Sequence, residues 1–133
     1  MNHWAINYIG KPWEYGAQGP DTFDCWGFTR FVQFEHFNIE LPFISVPKDW
    51  MESKYEIEHN AERALWVKVE TPIEGDIVLM ARNKVPVHIG ITIFANNKLG
   101  VLHCAQGCGV VFQDPIGLRS AGWGGLTYYR RNT

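Results

Sequence analysis

The chain has 133 residues, enough for one domain with one core, and no linker or repeat divides it. Hydrophobic content of 46% and aromatic content of 14% exclude a disordered tail, and a formal charge of −2 argues against nucleic acid as a partner. No stretch approaches the length of a membrane span, and Met1 to Gly10 carry neither a basic start nor an apolar block, so no membrane anchor and no secretory signal are expected.

Taken in chain order, a short helix is expected near Asn2–Ile9, stopping at Gly10 before Pro12. Gly16, Gly19-Pro20 and Asp21 then break regular structure. Trp26, Phe28, Phe31, Val32 and Phe34 recur with helical spacing and predict a helix from about Cys25 to Phe37, ended by Asn38 to Pro42. Asp49 to Leu65, with its charged run Glu52–Glu62, predicts one or two shorter helices with a wet face. Strands follow at Trp66–Glu70, Ile77–Arg82, Val87–Ala95, Leu99–Ala105, Gly109–Gln113 and Leu126–Arg131, with turns at Asn96-Asn97-Lys98 and Gln106-Gly107. Helices first and strands second predict an α+β fold with N-terminal helices packed on an antiparallel sheet.

Cys25 opens the second helix, where the helix dipole and N–H groups favour a thiolate. In the strand 87–95, Ile89, Ile91 and Ile93 fall on one face and want the core. His88, Gly90 and Thr92 fall on the other, and Gly90 leaves room there for the helix that carries Cys25. His103, on the adjoining hairpin strand, can stand beside His88. Cysteine and imidazole make a nucleophile and base pair, and a third polar group is needed to hold the imidazole in the useful tautomer. A thiolate–imidazolium pair would make Cys25 the most reactive of the three cysteines near neutral pH.

The competing readings are structural. A lone buried cysteine is more often packing than a nucleophile. His103 with Cys104 and Cys108 invites a metal reading, but adjacent strand residues point to opposite faces, so no metal site is expected. Cys104 and Cys108 read as reduced structural thiols, neighbours across a tight hairpin. Trp13, Tyr15, Trp26 and Trp50 either line a cleft or fill the core. Glu14, His3, His36 and His59 read as surface or structural groups.

The motif order is more telling than any single residue. Gly10-Lys11-Pro12-Trp13-x-Tyr15-Gly16 precedes Phe23-Asp24-Cys25-Trp26-Gly27-Phe28 and Leu41-Pro42. Pro72-x-x-Gly75-Asp76-Ile77-Val78, His88-Ile89-Gly90-Ile91 and Leu102-His103 follow. This order resembles the NlpC-type cysteine peptidases, a papain-like superfamily that cleaves peptides of bacterial cell walls, and the resemblance runs from Gly10 to about Val111. It implies a papain-like α+β domain over residues 1–133 and a cysteine peptidase that needs no cofactor. It assigns Cys25 as nucleophile, His88 as general base and His103 as the orienting residue. It implies substrate contacts at Trp13, Tyr15, Asp24 and Trp26, with a peptidoglycan stem peptide as substrate.

Trp13 stands where the family usually has Tyr, and Trp26 where many members have Ser. An aromatic residue at the second position resembles short members associated with phage tails, which implies phage tail proteins as partners and a virion-borne enzyme made in the cytosol. A thiol acyltransferase or thioesterase could use the same Cys and His, and a structural part of a tail assembly is the non-catalytic alternative.

Overall fold

A computed structural model describes residues 3–41, 65–82 and 85–131. The predicted helices between Asp49 and Leu65, together with Trp50 and His59, lie outside the described residues except for Leu65 itself. The first helix is a single 3-10 turn, Trp4–Asn7, whose Ala5 N–H is accepted by the His3 ring at 3.0 Å. Helix α1 spans Cys25–Phe37 as expected. Its start is set by Asp24, an extended N-cap whose Oδ1 accepts the Gly27 N–H at 2.6 Å. Its end is set by Asn38, which takes the left-handed conformation at φ 57° and turns the chain out of the helix.

Six antiparallel strands follow: β1 (Trp66–Val69), β2 (Ile77–Arg82), β3 (Val85–Ala95), β4 (Lys98–Ala105), β5 (Gly109–Gln113) and β6 (Gly125–Arg131). They form one sheet in the order β1-β6-β2-β3-β4-β5. Strands β2 to β5 are thus a meander, and the last strand inserts between the first two. Asn96 and Asn97, at φ 54° and 61°, make the tight turn between β3 and β4. The fold is α+β, as the segregation of helices and strands predicts.

The isoleucine face of β3 does go to the core, and α1 covers it. Phe28 and Val32 of the helix share one fully buried cluster with Ile91, Ile93, Leu102 and Val110. This corrects the expectation that α1 lies on the face of His88, Gly90 and Thr92. The helix carries a large apolar stripe, and the isoleucine face offers the larger apolar surface to receive it. The histidine face is not the wet face of the sheet either, since His88, Gly90 and Thr92 are all buried. A second short helix, α2 (Pro115–Ser120), and the segment after it cover that side, where Leu118 and Trp123 pack on Val78, Met80 and Val101.

The Gly75-Asp76 turn ties three elements together. Gly75 takes φ 101°, a conformation that favours glycine, and the Phe37 ring fills the space where a Cβ would stand. Its carbonyl accepts the Gln33 side-chain amide of α1 at 2.8 Å, and its N–H donates to Thr92 of β3 at 2.8 Å. Asp76 is buried and receives Arg130 of β6 in a bidentate pair at 2.9 and 2.8 Å, together with the Ile73 N–H at 2.8 Å.

Candidate active site

The start of α1 brings Cys25 against the backbone of Ile89 on β3, while His88 and His103 pair with each other across β3 and β4. Cys25 is half-buried and packs with Trp26 against Leu41, Trp66, Ile77 and Ile89. Its sulfur lies against the backbone N–H groups of Cys25 itself, Trp26 and Ile89. Ile89 is the residue directly after His88, so the thiol meets β3 one peptide away from the imidazole. Gly27 explains the last position of the Asp-Cys-Trp-Gly motif. A Cβ there would run into the Ala17 carbonyl and come within 2.9 Å of Asp24 Oδ1, prising the preceding loop from the helix start.

His88 and His103 are both buried, and His88 Nε2 lies 2.9 Å from His103 Nδ1. His103 Nε2 in turn lies 2.8 Å from Gln113 Oε1 at the end of β5. An amide oxygen only accepts, so His103 carries its proton on Nε2. His103 Nδ1 therefore accepts the proton of His88 Nε2. The nitrogen of His88 left with a lone pair is Nδ1, the one able to act as a base. Trp123 stacks on the His88 ring at 4.9 Å between centroids, with 13° between the planes, and the Arg82 guanidinium lies 4.0 Å above Trp123. The ring of His88 is thus held in its plane by one neighbour and in its rotation by another.

Gly90 serves this pairing on the face expected of it, but the element that comes close there is β4 instead of the helix. An added Cβ would stand 2.7 Å from Val101 Cγ1 and 2.9 Å from His103 Cβ, both on β4. The missing side chain lets β4 bring His103 close to β3. Gly90→Ala should force these strands apart, destabilise the fold by about 1–3 kcal/mol and lower any activity that needs the histidine pair. Denaturant unfolding checks the first effect; unchanged stability and rate would contradict this role for Gly90.

The ionisation states differ from the sequence-based expectation. Burial, and after it the charge of Asp24, pushes the Cys25 thiol up to about 12 despite its place at the helix start. Burial, then His103 and Arg82, holds His88 well below the ordinary histidine value of 6.5. Burial also lowers His103, while its bond to Gln113 pulls the other way. Burial thus favours the neutral form of each group, and for Cys25 it outweighs the helix dipole, which is worth only about 0.3–1 kcal/mol.

Two outcomes follow. Cys108 is exposed, so iodoacetamide should label it before Cys25 at neutral pH. In a Cys108→Ser background the Cys25 rate should climb about tenfold per pH unit beyond pH ~9, read by mass spectrometry of the labelled peptides. A plateau in that rate below neutrality would show a preformed thiolate. Stability should also fall in acid. Between the lowered histidine values and 6.5 the unfolded chain binds more protons than the folded one, so stability drops as pH falls below 6.5. Asp24, raised from 3.8 by burial, acts in the opposite sense in a lower window. Thermal melts from about pH 7 to about pH 5 should show a loss that shrinks in a His88→Gln, His103→Gln variant.

The residues expected at the substrate are spread out. Trp26 shares the cluster that holds Cys25, whereas Trp13 packs half-buried against the core under α1 and bridges to Phe23. Tyr15 is exposed, and Asp24 is buried as the helix cap. Glu14 accepts the Thr22 hydroxyl at 3.0 Å. His36 stacks on Trp4 at 3.8 Å and pairs with the Tyr8 hydroxyl. Cys104 is buried against Phe23 and Cys108 is exposed, so the two are not neighbours across the hairpin as expected, and both are free thiols. Among the described residues no group of three or more His, Cys, Asp or Glu could hold a metal ion. None of their helices is long and apolar enough to cross a membrane.

Residues 10–117 match the NlpC/P60 family, the stretch that carries the helix start, both histidines and Gln113. The chain belongs to the NlpC/P60 family. It is 32% identical over 122 residues to a probable endopeptidase p60 of Listeria seeligeri, covering 90% of this chain and 19% of that protein. The chain thus spans about a fifth of the length of this curated relative. Among solved structures, the NlpC/p60 domain of the peptidoglycan hydrolase SagA superposes with a TM-score of 0.59 at 22% identity, over 93% of this chain and 91% of that one. An N-acetylmuramoyl-L-alanine amidase from Bacteroides uniformis gives 0.51 at 14% identity, over 97% and 96%. At these identities the two structures speak for the papain-like fold of NlpC/P60 domains alone.

Gln113 and Trp123 are the site residues that the sequence reading missed. Gln113 was detectable in principle, since β5 pairs with β4 and strand alternation puts Gln113 on the face of His103. Trp123 follows a helix that was itself missed, although Asp114-Pro115 is a cap followed by proline at the first helical position.

Proposed function

We propose that this NlpC/P60 domain is a cysteine peptidase that hydrolyses amide bonds in peptidoglycan stem peptides, with Cys25 as nucleophile, His88 as general base and His103 as its orienting partner. The observation that carries the proposal is the relay from His88 Nε2 to His103 Nδ1 and on to Gln113, with the Cys25 sulfur against the backbone of Ile89, the residue after His88. The relay leaves His88 Nδ1 as the base, and burial keeps that nitrogen unprotonated well into the acid range.

In the proposed reaction, His88 Nδ1 takes the Cys25 proton as sulfur attacks the scissile carbonyl carbon. A thiol held near 12 favours transfer of that proton together with attack. The backbone N–H groups of Cys25 and Trp26, which lie against the sulfur, are placed to donate to the developing oxyanion. Trp13 offers no hydroxyl for that purpose. The C–N bond then breaks, the proton on His88 passes to the leaving amine, and an acyl thioester remains on Cys25. Water attacks the thioester while His88 takes its proton, and the thiol reforms.

The family resemblance points to the bond between the D-glutamyl residue and the diamino acid. Trp26 stands where a small hydroxyl residue would bind a free peptide amine, so intact crosslinked wall is the expected substrate over free stem peptides. Its likeness to short tail-associated members extends the proposal to an enzyme carried by a phage particle. Digestion of purified sacculi and of free stem peptides, with the wild type and Cys25→Ala, tests the activity by mass spectrometry of new termini. No new amine from either substrate would sink the proposal, and preference for free peptides would overturn the inference from Trp26. Hydrolysis should survive a strong chelator and be blocked by thiol reagents. Proteomics of purified particles tests the location; a chain absent from them is not carried there.

A further inference from the structure

We infer that Gln113 is a positioning residue of the proposed site, which sets the tautomers of His103 and His88 through its side-chain oxygen. The inference rests on the peptidase reading for its effect on rate, but its structural content stands apart from it.

Gln113 is the last residue of β5 and pairs with Val101 of β4, two residues from His103 on the same face of the sheet. Asp114 beside it caps α2, so the backbone that carries Gln113 is fixed by a strand on one side and a helix start on the other. The side chain is half-buried and its Oε1 lies 2.8 Å from His103 Nε2. His103 is 1% exposed, so water has little access to replace that acceptor.

The consequence reaches across both rings. With an acceptor at Nε2, His103 must present a lone pair at Nδ1, and His88 must then point a proton from Nε2. Without that acceptor, His103 can carry its proton on Nδ1 and donate it toward His88. His88 would then hold its own proton on Nδ1, the nitrogen needed as a base. One amide oxygen at the sheet edge thereby selects which nitrogen of a histidine two strands away is basic.

The experiment compares wild type, Gln113→Leu and Gln113→Glu, each with 15N-labelled histidine. The ring signals of His88 and His103 are assigned through single His→Gln variants. In the wild type both rings should be Nε2–H tautomers at neutral pH. In Gln113→Leu the Nδ1–H form of His103 should become populated, and kcat should fall roughly tenfold with KM little changed. Gln113→Glu keeps an acceptor oxygen and should restore the Nε2–H form, while its charge moves the acid limb of the rate profile upward. Unaltered tautomers in Gln113→Leu would overturn the inference. If that variant does not fold, Gln113→Glu decides alone: an unmoved His103 titration overturns it. A tautomer shift in a protein whose wild type cleaves no wall peptide would support the positioning role and refute the peptidase reading.

Discussion

Cys25→Ala and His88→Ala should each lower the rate of wall-peptide hydrolysis about 10⁴-fold or more, and the double variant should cost little beyond either single change. The reason is shared work. A thiol pushed up to about 12 is a poor nucleophile until a base removes its proton, and an imidazole without the thiol has no acyl group to carry. His103→Ala should fall less far, since His88 keeps a basic nitrogen and the stack with Trp123 while losing its rotational partner. Single-turnover rates on crosslinked wall fragments provide the measurement, with circular dichroism to show that each variant folds. Losses that multiply in the double variant would mean that Cys25 and His88 act independently, which the proposed chemistry forbids.

Phe28→Ala should destabilise the domain by about 3–5 kcal/mol. Phe28 is fully buried between α1 and the sheet, with Tyr8 at 5.7 Å and Phe23 at 5.2 Å edge-on to its ring. Neighbours locked in such an aromatic cluster cannot close the void, so the cavity cost adds to the lost transfer energy. Phe28 lies about one turn from Cys25 on α1, hence activity should fall well below the melting point as the helix start loosens. Urea unfolding at neutral pH reads the effect. A loss under about 1 kcal/mol would show that the cluster repacks freely.

Much of this arrangement is legible in the residues because the punctuation is local. Asp24 and Asn38 bracket α1 by their own side-chain and backbone chemistry, and Gly75 announces the start of β2. Alternation in β3 shows that two faces differ, but not which partner each face receives, so it does not say that α1 covers the isoleucine face. The insertion of β6 between β1 and β2 depends on contacts more than forty residues apart, beyond any periodicity. At the site, the order of short motifs singles out Cys25, His88 and His103. Their protonation is different in kind, since it is set by burial from Leu41, Trp66 and Trp123, residues that no local pattern connects to them.

The sheet order has a consequence for the nascent chain. Strands β2 to β5 can zip up hairpin by hairpin as they leave the ribosome, each beside the one made before it. Strand β1 has no such neighbour, because its partner β6 is synthesised last. Until residues 125–131 emerge, neither Trp66 nor Tyr129 can take its place in the cluster around Cys25. The thiol is therefore walled in fully only once β6 has joined the sheet, and until then the side of its pocket formed by Trp66 and Tyr129 stays open to water.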